Sequence, residues 1–310
     1  MATLHPLRIG TRGSILALAQ AHETRRLLAA AHPELAEDGA MEIVEINTTG
    51  DIVQDRALSE VGGKGLFSKE IDAALLDKRV DIAVHSMKDL ETWMPDGISL
   101  LSALEREDPR DVLITNKADS FASLPAGSLI GTSSLRRQAQ ILKRRPDLKV
   151  GLFRGNVQTR LRKLAEGQAD ATLLALAGLN RLGNTEVITE ILEPDIVLPA
   201  VAQGAIGITC RTDDARSSNF IRAINHDQTM TRVTCERAML EALDGSCRTP
   251  VGGLAEVEAD GSLALRGLVA RSDGSEVFET CRRGPPSDGI AMGRDAGEEL
   301  RRRAGPDIFK

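Results

Sequence analysis

The sequence predicts an α/β protein of two similar α/β domains followed by a small α+β domain, and three observations predict it. A strand, Gly/Ser turn and helix pattern at 7–31 returns at 129–145. An apolar strand candidate, preceded by a helix candidate and followed by polar residues, occurs at both 80–84 and 169–174. After Thr229 the pattern changes to a helix and a series of short alternating stretches.

Leu7-Arg8-Ile9-Gly10-Thr11 reads as a short strand opening into a Gly/Ser turn, and Ile15 to Ala31 has helix-forming composition with apolar residues at helical spacing. Leu129-Ile130-Gly131-Thr132-Ser133-Ser134 repeats this grammar before a basic helix, Leu135 to Arg145, which Pro146 stops. Ile9-Gly10-Thr11 and Ile130-Gly131-Thr132 echo each other, as do Val80 to Val84 and Ala169 to Leu174. Val197 to Ile208, apolar with a Gly break, reads as a strand returning to an earlier sheet. The first domain then takes 1–104 and 200–224, the second 105–199 and the third 225–310. In the third, a helix candidate runs from Thr229 to Leu243, and alternating stretches at 254–259, 263–270 and 276–281 are punctuated by Asp260-Gly261 and Asp273-Gly274, a strong hairpin signal. A last helix spans 290–303.

At 310 residues and 42% hydrophobic content the chain exceeds the usual single-domain length and can bury ample core. Its net charge of −6 and its seven aromatics, six Phe and one Trp, argue against nucleic-acid binding. The charge is uneven: Gly131 to Lys163 holds ten Lys and Arg against one acid, Asp147, a local field suited to a small polyanion. Cysteines 210, 235, 247 and 281 are widely spaced and read as free thiols, and five scattered histidines suggest no metal site. Neither an export signal nor a membrane-spanning run is visible, and the expectation is a cytoplasmic protein with no membrane partner.

The chemistry-bearing residues fall after strand candidates, where open α/β sheets collect ligands and where backbone amides attract anions. Asp89 follows the strand Asp81 to His85, beside Ser86 and Lys88. It reads as a carboxylate that stabilises a transient cation, or as a helix cap or the ion-pair partner of Lys88. Arg12, Arg136, Arg137, Arg154, Arg160 and Arg181 sit in or after such loops, where guanidinium groups can clamp carboxylates; Lys143, Arg144, Arg145, Arg162 and Lys163 read as a solvated face. Gly62-Gly63-Lys64-Gly65 fails the phosphate-loop pattern, and Thr48 to Gly65 reads as a flap over the cleft or a plain connecting loop. Cys247 lies in a turn-rich loop next to Arg248, a setting that makes an exposed thiol reactive, although a lone loop cysteine is more often inert.

Taken together, Val84-His85-Ser86-Met87-Lys88-Asp89, Gly131-Thr132-Ser133-Ser134-Leu135-Arg136-Arg137 and Cys247 resemble the porphobilinogen deaminase (hydroxymethylbilane synthase) family. Val61 to Phe67, Glu105 to Asp111, Arg154-Gly155-Asn156, Arg181-Leu182-Gly183 and Gln203-Gly204-Ala205 extend the match in order and spacing over nearly the whole chain. The resemblance implies two periplasmic-binding-protein-like (type II) α/β domains and a third domain carrying a dipyrromethane cofactor joined by a thioether to Cys247. It implies a transferase of porphyrin and haem biosynthesis that condenses four porphobilinogen molecules, with loss of ammonia, into a linear tetrapyrrole released by water. By the same carry-over Asp89 is catalytic, and Ser86, Lys88, Thr132, Ser134, Arg136 and Arg137 hold the cofactor. Arg12, Ser14, Arg154, Arg160 and Arg181 hold incoming or elongating rings, and the protein is a monomer.

The chain departs from the family's common pattern at Gly13 and Ile15, where Gln and Pro are frequent, at Glu91, where Pro is usual, and at Ser246, commonly Gly. Glu91 adds a negative charge near Asp89, and Ser246 would stiffen the cofactor loop. The rival reading is a solute-binding or sensing module of the same architecture, which would need neither a modified Cys247 nor Asp89.

Overall fold

Alternation and capping set the opening of the chain. In β1 (Leu7–Arg12), Leu7 and Ile9 are fully buried. Ser14 then caps α1 (Ile15–Ala31) by accepting a hydrogen bond from the Ala17 amide at 3.3 Å. The structure, a computed structural model, describes residues 5–52, 65–243 and 249–309. β2 (Met41–Ile46), the single-turn α2 (Thr49–Ile52), α3 (Lys69–Leu76), β3 (Ile82–Ser86) and β4 (Ile98–Ala103) follow, with a 3-10 turn at Met87–Asp89. The second run comprises β5 (Asp111–Thr115), β6 (Leu129–Gly131), α4 (Leu135–Arg144), β7 (Lys149–Gly151), α5 (Val157–Ala165), β8 (Ala171–Ala175), α6 (Leu176–Leu182) and β9 (Glu190–Leu192). The chain continues through β10 (Ile206–Arg211), α7 (Ala215–Arg222) and α8 (Asp227–Ala242), and closes with β11 (Val251–Val257), β12 (Leu263–Ala270), β13 (Val277–Gly284) and α9 (Gly289–Ala304).

Two five-stranded sheets share one topology. Their orders are β2-β1-β3-β10-β4 and β7-β6-β8-β5-β9. In each, three parallel strands are followed by a strand antiparallel to them, β10 or β5, and then by an edge strand antiparallel to that one. The sequence echoes are echoes of position: β1 matches β6 and β3 matches β8. The chain thus builds one mixed-sheet topology twice.

The described residues fall into two compact units. One holds the first sheet with 65–106 and 205–230; the other holds 107–204 and 231–309, and with them the second sheet and the third, β11-β12-β13. The first core joins Leu7, Ile9, Leu28, Ile82, Val84, Ile206 and Ile208; the second joins Leu113, Ile130, Ile141 and Leu173. Each such fully buried side chain contributes about 1.5–3 kcal/mol relative to exposure. At Gly131 a Cβ would stand 2.6 Å from the Phe153 ring, so this motif glycine is needed for packing.

The returning strand is shorter than its apolar span suggests. β10 starts at Ile206, and the preceding residues form turns whose polar groups are met by side chains, the Ala202 amide by buried Glu236 at 2.6 Å. Apolarity there reflects burial without strand pairing. The third sheet is antiparallel, and its two turns have Gly261 and Gly274 at φ +82° and +74°, a region glycine enters freely. In both, an aspartate Oδ1, from Asp260 or Asp273, accepts the amide two residues on at 3.0 Å.

Candidate active site

The first unit presents its chemistry at the ends of β1 and β3. Met87 and Leu90 are buried, and the Met87 amide donates to the Ala205 carbonyl at 3.0 Å. With these two residues anchored, the turn turns Lys88 and Asp89 outward. The Asp89 side chain is 34% exposed, and Arg12 Nη1 lies 4.0 Å from its Oδ2. The Arg12 guanidinium also stacks over the Phe67 ring, 4.2 Å from the centroid. Ser86 is held by α1, its Oγ accepting from Gln20 Nε2 at 2.9 Å. His85 is buried and bonded to Thr209 Oγ1 at 3.0 Å, a structural role.

The second unit gathers its residues around the amino end of α4. Thr132 Oγ1 accepts from the Ser134 amide at 3.2 Å, and Ser134 Oγ caps the helix by accepting from the Arg137 amide at 3.4 Å. Arg136 and Arg137 are buried, and both reach Asp111, which is fully buried: Arg136 Nη2 to Oδ2 at 2.8 Å and Arg137 Nη2 to Oδ1 at 2.7 Å. Gln203 Nε2 adds a donor to Asp111 at 2.8 Å. Burial alone would raise the Asp111 pKa, yet the two guanidinium groups hold it well below the usual carboxylate range. Each arginine also donates to a carbonyl, Arg136 to Leu198 at 2.7 Å and Arg137 to Leu173 at 2.9 Å.

Arg160 and Arg181 are tied to backbone. Arg160 Nε donates to the Gly155 carbonyl at 2.9 Å, next to Arg154, and Arg181 Nη2 donates to the Gly204 carbonyl at 3.0 Å. Thus the structure brings Arg12, Ser86, Lys88 and Asp89 to one loop cluster, with Ser14 on the neighbouring cap. It brings Thr132, Ser134, Arg136 and Arg137 to another. Cys247 and Ser246, like most of the candidate flap, lie outside the described residues. Sequence reasoning missed Asp111, Gln203 and Phe67 as supports. A buried arginine pair demands a counter-charge, which is the signal that Asp111, inside the run from Glu105 to Asp111, answers.

The fold is α/β, with two five-stranded sheets of one topology, and guanidinium, carboxylate and hydroxyl groups gather in the loops that follow their strands. The chain belongs to the porphobilinogen deaminase family. Residues 7–219 match that family's dipyromethane cofactor binding domain and residues 230–302 its C-terminal domain. It is 59% identical over 305 residues to a chloroplastic porphobilinogen deaminase of Oryza sativa subsp. japonica, covering 98% of this chain and 85% of that one. It is 57% identical to the porphobilinogen deaminase of Paracoccus denitrificans, covering 98% and 96%. Among solved structures, the methionine binding protein MetQ is alike at a TM-score of 0.45 and 11% identity, over 73% of this chain and 92% of that one.

The residues present fit a dipyrromethane group. Such a group carries several carboxylates, and the donor set offers guanidinium, ammonium and hydroxyl groups. The Ser133 hydroxyl, within the same motif, is enclosed without a hydrogen-bond partner among the described residues, as a donor kept for a ligand would be.

Proposed function

We propose that this chain is a hydroxymethylbilane synthase, condensing four porphobilinogen molecules head to tail with loss of ammonia at each step and releasing a linear tetrapyrrole by hydrolysis. Family membership carries the reaction, and the observation that carries the site is Asp89, held outward on an anchored turn with Arg12 beside it. A dipyrromethane joined to the Cys247 sulfur would supply the terminal ring carbon on which the chain grows. Asp89 stabilises the positive charge that develops on the incoming pyrrole as its aminomethyl nitrogen leaves, an electrostatic role suited to a fixed carboxylate. Arg12, Ser14, Arg154, Arg160 and Arg181 hold the acetate and propionate arms of moving rings. Ser86, Lys88, Thr132, Ser134, Arg136 and Arg137 would hold the cofactor, whose carboxylates suit guanidinium, ammonium and hydroxyl donors.

The same reading takes 225–310 as a separate cofactor-carrying domain, with 1–104 and 200–224 as the first and 105–199 as the second. It takes the protein as a cytoplasmic monomer. No helix among the described residues is long and apolar enough to cross a membrane.

The decisive measurement is intact-protein mass. The purified protein is expected to exceed its sequence mass by one dipyrromethane, and Cys247→Ala to lose both the increment and activity. A fully active protein of unmodified mass overturns the assignment.

A further inference from the structure

Glu91 stands two residues after Asp89, and its carboxylate is engaged. Oε1 accepts a hydrogen bond from the Gly65 amide at 2.8 Å. Gly65 opens the turn that leads into α3, its carbonyl accepting from the Ser68 and Lys69 amides at 3.1 and 2.9 Å. Within that turn the Leu66 carbonyl accepts from the Gly50 amide at 2.8 Å, and Phe67 carries the Arg12 guanidinium on its ring. Arg12 in turn faces Asp89. The contacts close a circuit: along the chain from Asp89 to Glu91, across to Gly65, along to Phe67, and back through Arg12 to Asp89.

We propose that Glu91 is a positioning residue for the reaction, tethering the Gly65 to Ser68 turn so that the Phe67 ring holds Arg12 beside Asp89. A charged acceptor on a backbone amide makes a stronger tether than a neutral one. The consequence is catalytic because a misplacement of about 1 Å at a reacting group costs up to about 10²-fold in rate. The inference rests on the enzymatic reading above and adds how that site is held in this chain.

The test uses cofactor-loaded protein and porphobilinogen, comparing wild type, Glu91→Ala, Glu91→Gln, Phe67→Leu and the Glu91→Ala/Phe67→Leu double variant. Glu91→Ala is expected to lower kcat/KM about tenfold, the loss of one charge-assisted hydrogen bond, with melting temperature and cofactor mass unchanged. Glu91→Gln keeps an acceptor oxygen and is expected to stay within about threefold of wild type. On the Phe67→Leu background, Glu91→Ala is expected to add less than about twofold, because its route runs through the ring. Full activity in Glu91→Ala, a Gln variant as impaired as Ala, additive losses, or a loss matched by lower stability or cofactor content each overturn the tether. A wild type that makes no hydroxymethylbilane overturns the enzymatic reading and the tether with it; an active wild type with an equally active Glu91→Ala overturns the tether alone.

Discussion

Asp89 and Asp111 are both aspartates beside arginine, and the protein uses them in opposite ways. Asp111 is fully buried, with Arg136 and Arg137 at 2.8 and 2.7 Å and Gln203 on the same carboxylate. Asp89 keeps a third of its side chain exposed and has Arg12 at 4.0 Å. A carboxylate already saturated by two cations has little left to offer a third, whereas one whose guanidinium neighbour stands 4.0 Å away can respond to charge that appears during a reaction. The difference separates an acid committed to the arginines it neutralises from one with capacity left for a further charge.

The comparison breaks most sharply at Asp111. Asp111→Ala leaves two buried guanidinium groups uncompensated and is expected to cost about 3–5 kcal/mol of stability. A thermal melt within a degree or two of wild type would show that the pair is not held by this acid. Asp89→Asn is the converse case, with the melt and the cofactor mass preserved and turnover reduced about 10²-fold or more. Near-normal turnover in the purified variant would remove Asp89 from the reaction.

How far this contrast was legible in the sequence depends on the range of each contact. β1, α1 and the Asp-Gly turns rest on local signals: alternation, a Ser cap, a glycine at positive φ. The duplicated topology was visible as an echo because a glycine lies under a packed side chain in each strand, Gly10 of β1 against Val80 and Gly131 of β6 against Phe153. The positions of Asp89, Arg136 and Arg137 were legible from their motifs, but not their environments. Arg136 and Asp111 are 25 residues apart, and nothing local states that one buries the other. The Glu91 to Gly65 bond spans 26 residues and was readable only as an added charge. The stretch before β10 misled because apolar composition reports burial, and burial there is reached in turns whose amides are met by Glu236.

A third aspartate extends the comparison to an acid with no cationic partner among the described residues. Asp72, in the first turn of α3, is partly buried, and burial raises its pKa to about 6, against which a hydrogen bond from Ser68 works only in part. A carboxyl whose folded-state pKa lies above its unfolded value binds more protons when folded, so its contribution to stability falls as pH rises from about 4 to about 6 and stays at its least favourable above that. Asp72→Asn removes the charge while keeping an oxygen for Ser68. The variant is therefore expected to melt above wild type at pH 7.5, with the gap closing as the pH is lowered to 4, and its turnover at neutral pH is expected to match wild type. Parallel melting curves over that range would mean that the acid ionises in the folded protein as it does in the unfolded chain. In that event partial burial without a cation would not distinguish Asp72 from an ordinary surface carboxylate, and the ordering of the three aspartates by environment would reduce to the contrast between Asp89 and Asp111.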